Sequence, residues 1–226
     1  MKLSQKTRRG LLVSAFVMVL GMIVVLTSCY PGDPLSVSQM DLVITLFDKN
    51  VDYSRFKTYV LPDTVVFLTD SSHQDEIDHS NDDFIISKVR ENIERMGFVK
   101  ETNPEQNKPD AVFLIAATNT EYVGYYGGYW DWWGWYPGWS WWGYPPGWGW
   151  YYPPYYGGGT YSFTAGTIFI SMLDVKNYDE ENKVMPIPWV AALNGLLEDN
   201  SVNLRNRIET GIKKAFDQSP YLGEGK

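Results

Sequence analysis

Few groups in this chain can attack, chelate or shuttle protons: one thiol, Cys29, and two imidazoles, His73 and His79, in 226 residues. Both imidazoles sit in the acidic stretch Asp70–His79 (DSSHQDEIDH). Neutral imidazole beside carboxylates is a ligand set for a divalent cation. The spacing matches no zinc signature, however, and a solvated acidic loop accounts for it. Glu180-Glu181 and Asp82-Asp83 are adjacent in sequence, so their side chains diverge, and loop or helix-start roles suffice. The chain contains neither a GxxxxGK[ST] phosphate cradle nor a GxSxG nucleophile turn. This inventory predicts no catalytic residue, no metal site, no cofactor and no enzyme activity; the alternative is an unrecognised hydrolase, which would need a polar cluster converging in a pocket.

Cys29 has a different context. Lys2, Lys6, Arg8 and Arg9 open the chain, and no acidic residue precedes Asp33. Leu11–Leu26 is then apolar except for Ser14, which is short for a spanning helix of about 20 residues and suits the apolar region of a secretion signal. The run ends in Leu26-Thr27-Ser28-Cys29, which resembles the bacterial lipobox. Small residues fit the signal peptidase, and the thiol takes the diacylglycerol. The expectation is a signal peptide over 1–28, cleavage between Ser28 and Cys29, a lipidated tether over 29–39 and an anchor in the bacterial envelope. The alternative is an uncleaved membrane anchor with an incidental cysteine. Tyr30 follows the cysteine, where some inner-membrane lipoproteins carry Asp, so the outer membrane is the expected address.

Loss of 1–28 removes four positive charges, leaving 15 Lys and Arg against 27 Asp and Glu, a net of −12. Such a body is repelled by anionic lipid, so attachment depends on the acyl chains. The same balance excludes a phosphate-tracking nucleic-acid binder.

The elements that must position any further chemistry follow from periodicity. Asp41–Phe47, Phe56–Leu61, Ala111–Ala117, Gly166–Asp174 and Trp189–Leu196 read as strands, with a turn at Asp52-Tyr53-Ser54 and a further short extended piece at Val65–Leu68. Ile85, Val89, Ile93 and Met96 mark a helix over Asn81–Met96, opened by a Ser80–Asp83 capping box and stopped by Gly97. A closing helix carries Leu204, Ile208, Ile212, Ala215 and Phe216, capped by Asn200 and ended by Pro220. The order predicts one α+β domain over 40–222: a two-layer sandwich with a mostly antiparallel sheet of about five strands and two helices on one face. Both faces of Ala111–Ala117 are apolar, so something must cover the face the helices leave bare.

Asp52-Tyr53-Ser54-Arg55-Phe56-Lys57-Thr58-Tyr59, Gly97-Phe98, Lys108-Pro109-Asp110-Ala111, Gly166-Thr167-Ile168-Phe169-Ile170 with Asp174, and the strand around Trp189 occur in an order and spacing that resembles the domain-of-unknown-function family numbered 4136, over roughly residues 40–222. The resemblance implies an α/β fold on a secreted, lipid-anchored chain, often with a Gly- and aromatic-rich insertion. It implies no activity and brings no catalytic residues.

That insertion is Tyr122–Tyr161, where Tyr, Trp, Gly and Pro fill 36 of 40 positions and Asp131 is the single charge. It holds 20 of the chain's 36 aromatic residues, so the rest of the sequence is ordinary in composition. Recurrent Gly and Pro argue against a long helix or strand. Four roles stay open: low-complexity filler without a ligand, cover for the bare sheet face, membrane-interface contact, and stacking on glycans or Pro-rich peptides. The candidate binding residues are Trp130, Trp132, Trp133, Trp135, Trp139, Trp141, Trp142, Trp148 and Trp150. Expected partners are the membrane, through Cys29, and an envelope glycan or protein. Nucleic acid is not among them, because base stacking comes with basic residues that this arm lacks.

Overall fold

The computed structural model describes residues 42–68, 79–118, 122–124, 138–143, 149–151, 161–163, 166–197 and 203–224. The expected signal peptide, Ser28, Cys29 and the tether lie outside the described residues, as do His73, Asn200, Trp130, Trp132, Trp133, Trp135 and Trp148.

The elements run β1 (Leu42–Phe47), a 3-10 turn (Tyr53–Arg55), β2 (Thr58–Val60), β3 (Val66–Leu68), α1 (Asp82–Arg95), β4 (Val99–Lys100) and β5 (Ala111–Thr118). Within the arm lie β6 (Tyr122–Gly124), the one-turn helix α2 (Gly138–Trp141), β7 (Gly149–Tyr151) and β8 (Tyr161–Phe163). Then come β9 (Ile168–Asp174), a 3-10 turn (Val175–Asn177), β10 (Val184–Pro186), β11 (Trp189–Asn194), α3 (Leu204–Asp217) and a last 3-10 turn (Pro220–Gly223).

Seven strands form one sheet in the order β1-β11-β9-β5-β2-β4, with β3 also on β5. The long pairs, β1 with β11, β11 with β9 and β9 with β5, are antiparallel. The short strands β2, β3 and β4 add parallel pairings. The expected sheet of five mostly antiparallel strands is therefore corrected to a mixed sheet of seven. Of the two additional strands, β3 falls within the expected extended piece Val65–Leu68, and β4, two residues long, carries too little periodicity to be read. The passage from β2 through α1 to β5 is a helical crossover, which brings the strands together parallel.

All eight residues of β5 are buried, as their unbroken apolar run requires. Ala111, Phe113, Ile115 and Ala117 meet the helices, through Ile85, Val89 and Ile93 of α1 and Ile208, Ile212 and Ala215 of α3. The alternate residues Val112, Leu114 and Ala116 enter a second apolar cluster on the opposite face. Each fully buried aliphatic side chain contributes about 1.5–3 kcal/mol, so neither face is stable bare.

Local chemistry sets the ends of the elements. Gly97 takes φ 88°, and Gly97 N–H donates to Glu94 while Phe98 N–H donates to Ile93, the paired bonds of a glycine-terminated helix. At the start of α1 the cap is Asn81, whose side chain makes no capping bond, and the Nδ1 of His79 lies 2.7 Å from Asp82. The expected Ser80 capping box is thus corrected by one position. Asn203, rather than Asn200, precedes α3. The strands near 166 and 196 are shorter than expected because Gly166 and Gly195 turn the chain at φ 75° and 70°. Gly211 permits the close seating of α3, since a Cβ there would stand 3.0 Å from Leu193 and Leu196.

Candidate functional site

Two regions gather the side chains that can contact something else. The first is a charged cleft where β2 and β5 begin and β9 ends. Asp110 immediately precedes the apolar run of β5, and Asp174 ends that of β9; Ala111 and Asp174 face each other across the ladder. Arg55 arrives from the 3-10 turn before β2, whose cap Asp52 accepts from Ser54 N–H at 3.0 Å. Lys176 arrives from the turn after β9.

Arg55 donates to Asp174, which is 2% exposed, and its guanidinium lies over the Phe56 ring at 4.4 Å. Asn177 completes the Asp174 carboxylate, with Nδ2 at 2.8 Å and the backbone N–H at 3.3 Å. Asp110 accepts from Lys176, from the backbone N–H of Lys57 and Thr58 at 2.8 and 2.7 Å, and from Thr58 Oγ1 at 3.0 Å. Burial pushes the Asp110 carboxyl up, but Lys176 and the amides of Thr58 and Lys57 outweigh it and hold the group below its usual value. Burial lowers the nearby Lys108 ammonium, against attraction from Asp174 and Glu180. Arg55, Phe56, Asp110, Asp174 and Lys176 line a cleft of about 210 Å³.

The second region is the bare sheet face, which the arm helps to cover. Trp139, on α2, is 2% exposed and joins Val112, Leu114, Phe169, Leu173, Val190 and Met185 in the second cluster. Trp142 packs against the same cluster, edge-on to Trp139 with ring centroids 5.9 Å apart, and its indole N–H donates to Pro104 at 2.5 Å. β7 pairs in parallel with β10, Trp150 opposite Met185. Trp141, between two seated tryptophans, is 44% exposed. Of the nine candidate tryptophans, then, Trp139 and Trp142 serve the core, Trp141 faces outward and Trp150 belongs to β7.

The structure does not gather the sequence's other candidates. His79 meets Asp82 and lies edge-on to Phe67 at 4.9 Å. Asp82 and Asp83 occupy the first turn of α1, where carboxylates are favourable, and Glu180 and Glu181 lie on an exposed turn. Among the described residues no three His, Cys, Asp or Glu side chains cluster closely enough to hold a metal ion, and no helix is long and apolar enough to cross a membrane. The charged cleft is what sequence reasoning missed. The available signal was an acid abutting each of the two most apolar strands.

The architecture and the cleft define a mixed-sheet α+β domain, with α1 and α3 on one face and Trp139 and Trp142 of the aromatic arm on the other. The chain belongs to the family described as Domain of unknown function (DUF4136), whose model matches residues 43–221. It is similar to the crystal structure of a DUF4136 family protein from Bacteroides thetaiotaomicron VPI-5482, with 28% identity, TM-score 0.59, and 80% of this chain and 97% of that one covered. A PelC dodecamer from Paraburkholderia phytofirmans aligns at 10% identity and TM-score 0.37, covering 81% of this chain and 98% of that chain. A PDZ domain protein from Parabacteroides distasonis ATCC 8503 aligns at 17% identity and TM-score 0.35, over 80% of this chain and 36% of that one. The curated proteins return no significant match.

Proposed function

We propose that this chain is a lipid-anchored, non-catalytic protein of the bacterial cell envelope, held at the outer membrane through Cys29, and that it works by contact through its aromatic arm. The observation that carries the reading is Trp141. It is a large apolar ring left 44% exposed on a helix whose flanking tryptophans are seated on the domain. A ring fixed in this way offers a flat contact face at small entropic cost, because its support is already ordered. The Leu26-Thr27-Ser28-Cys29 sequence supports the anchor. Membership of a family without assigned activity neither adds nor removes a reaction.

The anchor is tested by detergent phase partitioning of the protein expressed in a bacterium. The native chain is expected in the detergent phase and Cys29→Ser in the aqueous phase, and a native protein in the aqueous phase rejects the anchor. A second reading, glycan or peptide binding, draws on the same ring, since a flat exposed indole stacks on sugar or proline rings. Binding to an envelope-glycan and Pro-rich peptide panel is expected to weaken in Trp141→Ala. An unchanged profile would remove this reading.

A further inference from the structure

We propose that the cleft between Arg55 and Lys176 binds the oxyanion end group of a small ligand. The inference does not depend on the anchor or on the aromatic arm; it rests on which hydrogen-bonding capacity the cleft has already used. An ionised carboxylate offers about four acceptor positions. Asp110 takes four donors: Lys57 N–H, Thr58 N–H and Thr58 Oγ1 crowd its Oδ2, and Lys176 meets its Oδ1. Asp174 is occupied by Arg55 and by both nitrogens of Asn177.

The cations keep more of their capacity than the carboxylates do. A guanidinium has five N–H donors and an ammonium three. Among the described residues, Arg55 directs a hydrogen bond only to Asp174, and Lys176 only to Asp110. Their side chains keep 35% and 52% of their exposure, so the spare donors are accessible. The larger spare capacity of the cleft is therefore donor capacity carried by two cations, which an anionic acceptor matches.

Three further features fit an oxyanion. The Phe56 face lies 4.4 Å from the Arg55 guanidinium and supports it, and a guanidinium can grip a carboxylate or phosphate at two points. Lys108 lies close enough to interact with Asp174, Glu180 and Lys176, so a third cation borders the cleft, with the Glu180 carboxylate near it. At about 210 Å³ the space is below the roughly 300–1,000 Å³ typical of whole drug-sized ligands, so it takes an end group with the remainder outside. Carboxylate and phosphate share this chemistry, and the test separates them.

The full chain in detergent micelles is titrated calorimetrically with inorganic phosphate and, separately, with acetate, at constant ionic strength. Saturable binding of either probe is expected, weakened about tenfold or more in Lys176→Gln and retained in Lys176→Arg; thermal unfolding of both variants verifies that they fold. Phosphate binding alone assigns a phosphoester end, and acetate binding alone a carboxylate end. Absence of saturable binding to both probes overturns the proposal, as does a folded Lys176→Gln protein that binds as tightly as the native chain.

Discussion

The indole N–H of Trp142 donates to the backbone carbonyl of Pro104 at 2.5 Å, joining the aromatic arm to the loop that leads into the central strand β5. With Trp139 buried beside it, this contact makes part of the arm a component of the fold.

Trp139 and Trp141 are two residues apart and should behave oppositely. Trp139→Ala removes a buried ring from the second cluster and is expected to destabilise by about 3–5 kcal/mol. Trp141→Ala, at an exposed position, should fall within about 0.5 kcal/mol of the native protein. Urea denaturation measures both. Equal, small effects would mean that the arm does not support the sheet.

Arg55→Met leaves the buried carboxylate of Asp174 with Asn177 alone. The expected cost is about 1–3 kcal/mol, below that of a fully buried pair because Arg55 is partly hydrated. The double variant Arg55→Met with Asp174→Asn should lose less than the sum of the single changes. Additive losses in a double-mutant cycle would show that the two groups are not coupled.

Asp110 gives the cleft an acid-sensitive member. Its folded carboxyl titrates below the ordinary value of 3.8, so as pH falls the unfolded chain takes up the proton first. The stability it contributes is complete above about pH 4 and is lost as pH drops through the lower, folded value. Asp110→Asn should therefore lower stability at neutral pH and flatten the acid limb of a stability–pH curve. Superimposable acid limbs would contradict this.

Ser219 is a buried junction: it accepts from the indole N–H of Trp189 at 2.8 Å and from the Tyr221 hydroxyl at 3.1 Å, and donates to Ala215 at 3.0 Å. Ser219→Ala strands the Trp189 donor in the core and should cost about 1–3 kcal/mol by thermal or urea unfolding. A neutral result would imply that water replaces the hydroxyl.

The helices, β5 and β9 were legible because their periodicity, or its unbroken absence, is long enough to read, and Gly97 marked the stop of α1. The need for a cover over the second sheet face was legible too, from the two apolar faces of β5. Which residues supply it was not. Trp139 stands among eight neighbouring tryptophans that share its local sequence character, and only tertiary packing singles it out. The cleft was illegible for another reason: Arg55, Asp110 and Asp174 are 55 and 64 positions apart, and the parallel placement of β2 beside β5 brings them together.

The neck of the arm has its own consequence. Thr118 N–H donates to Thr167 at 2.9 Å, Gly166 N–H returns to Thr118 at 2.7 Å, and the Thr118 hydroxyl receives Thr167 N–H at 3.1 Å. The excursion between β5 and β9 thus begins and ends at a fixed clasp. Closing a flexible loop costs free energy only logarithmically in its length, about 0.6 kcal/mol for each doubling. Behind such a clasp, arm length is nearly a free variable: the domain can carry a longer or shorter excursion at little thermodynamic expense, provided that the clasp and the two seated tryptophans are kept.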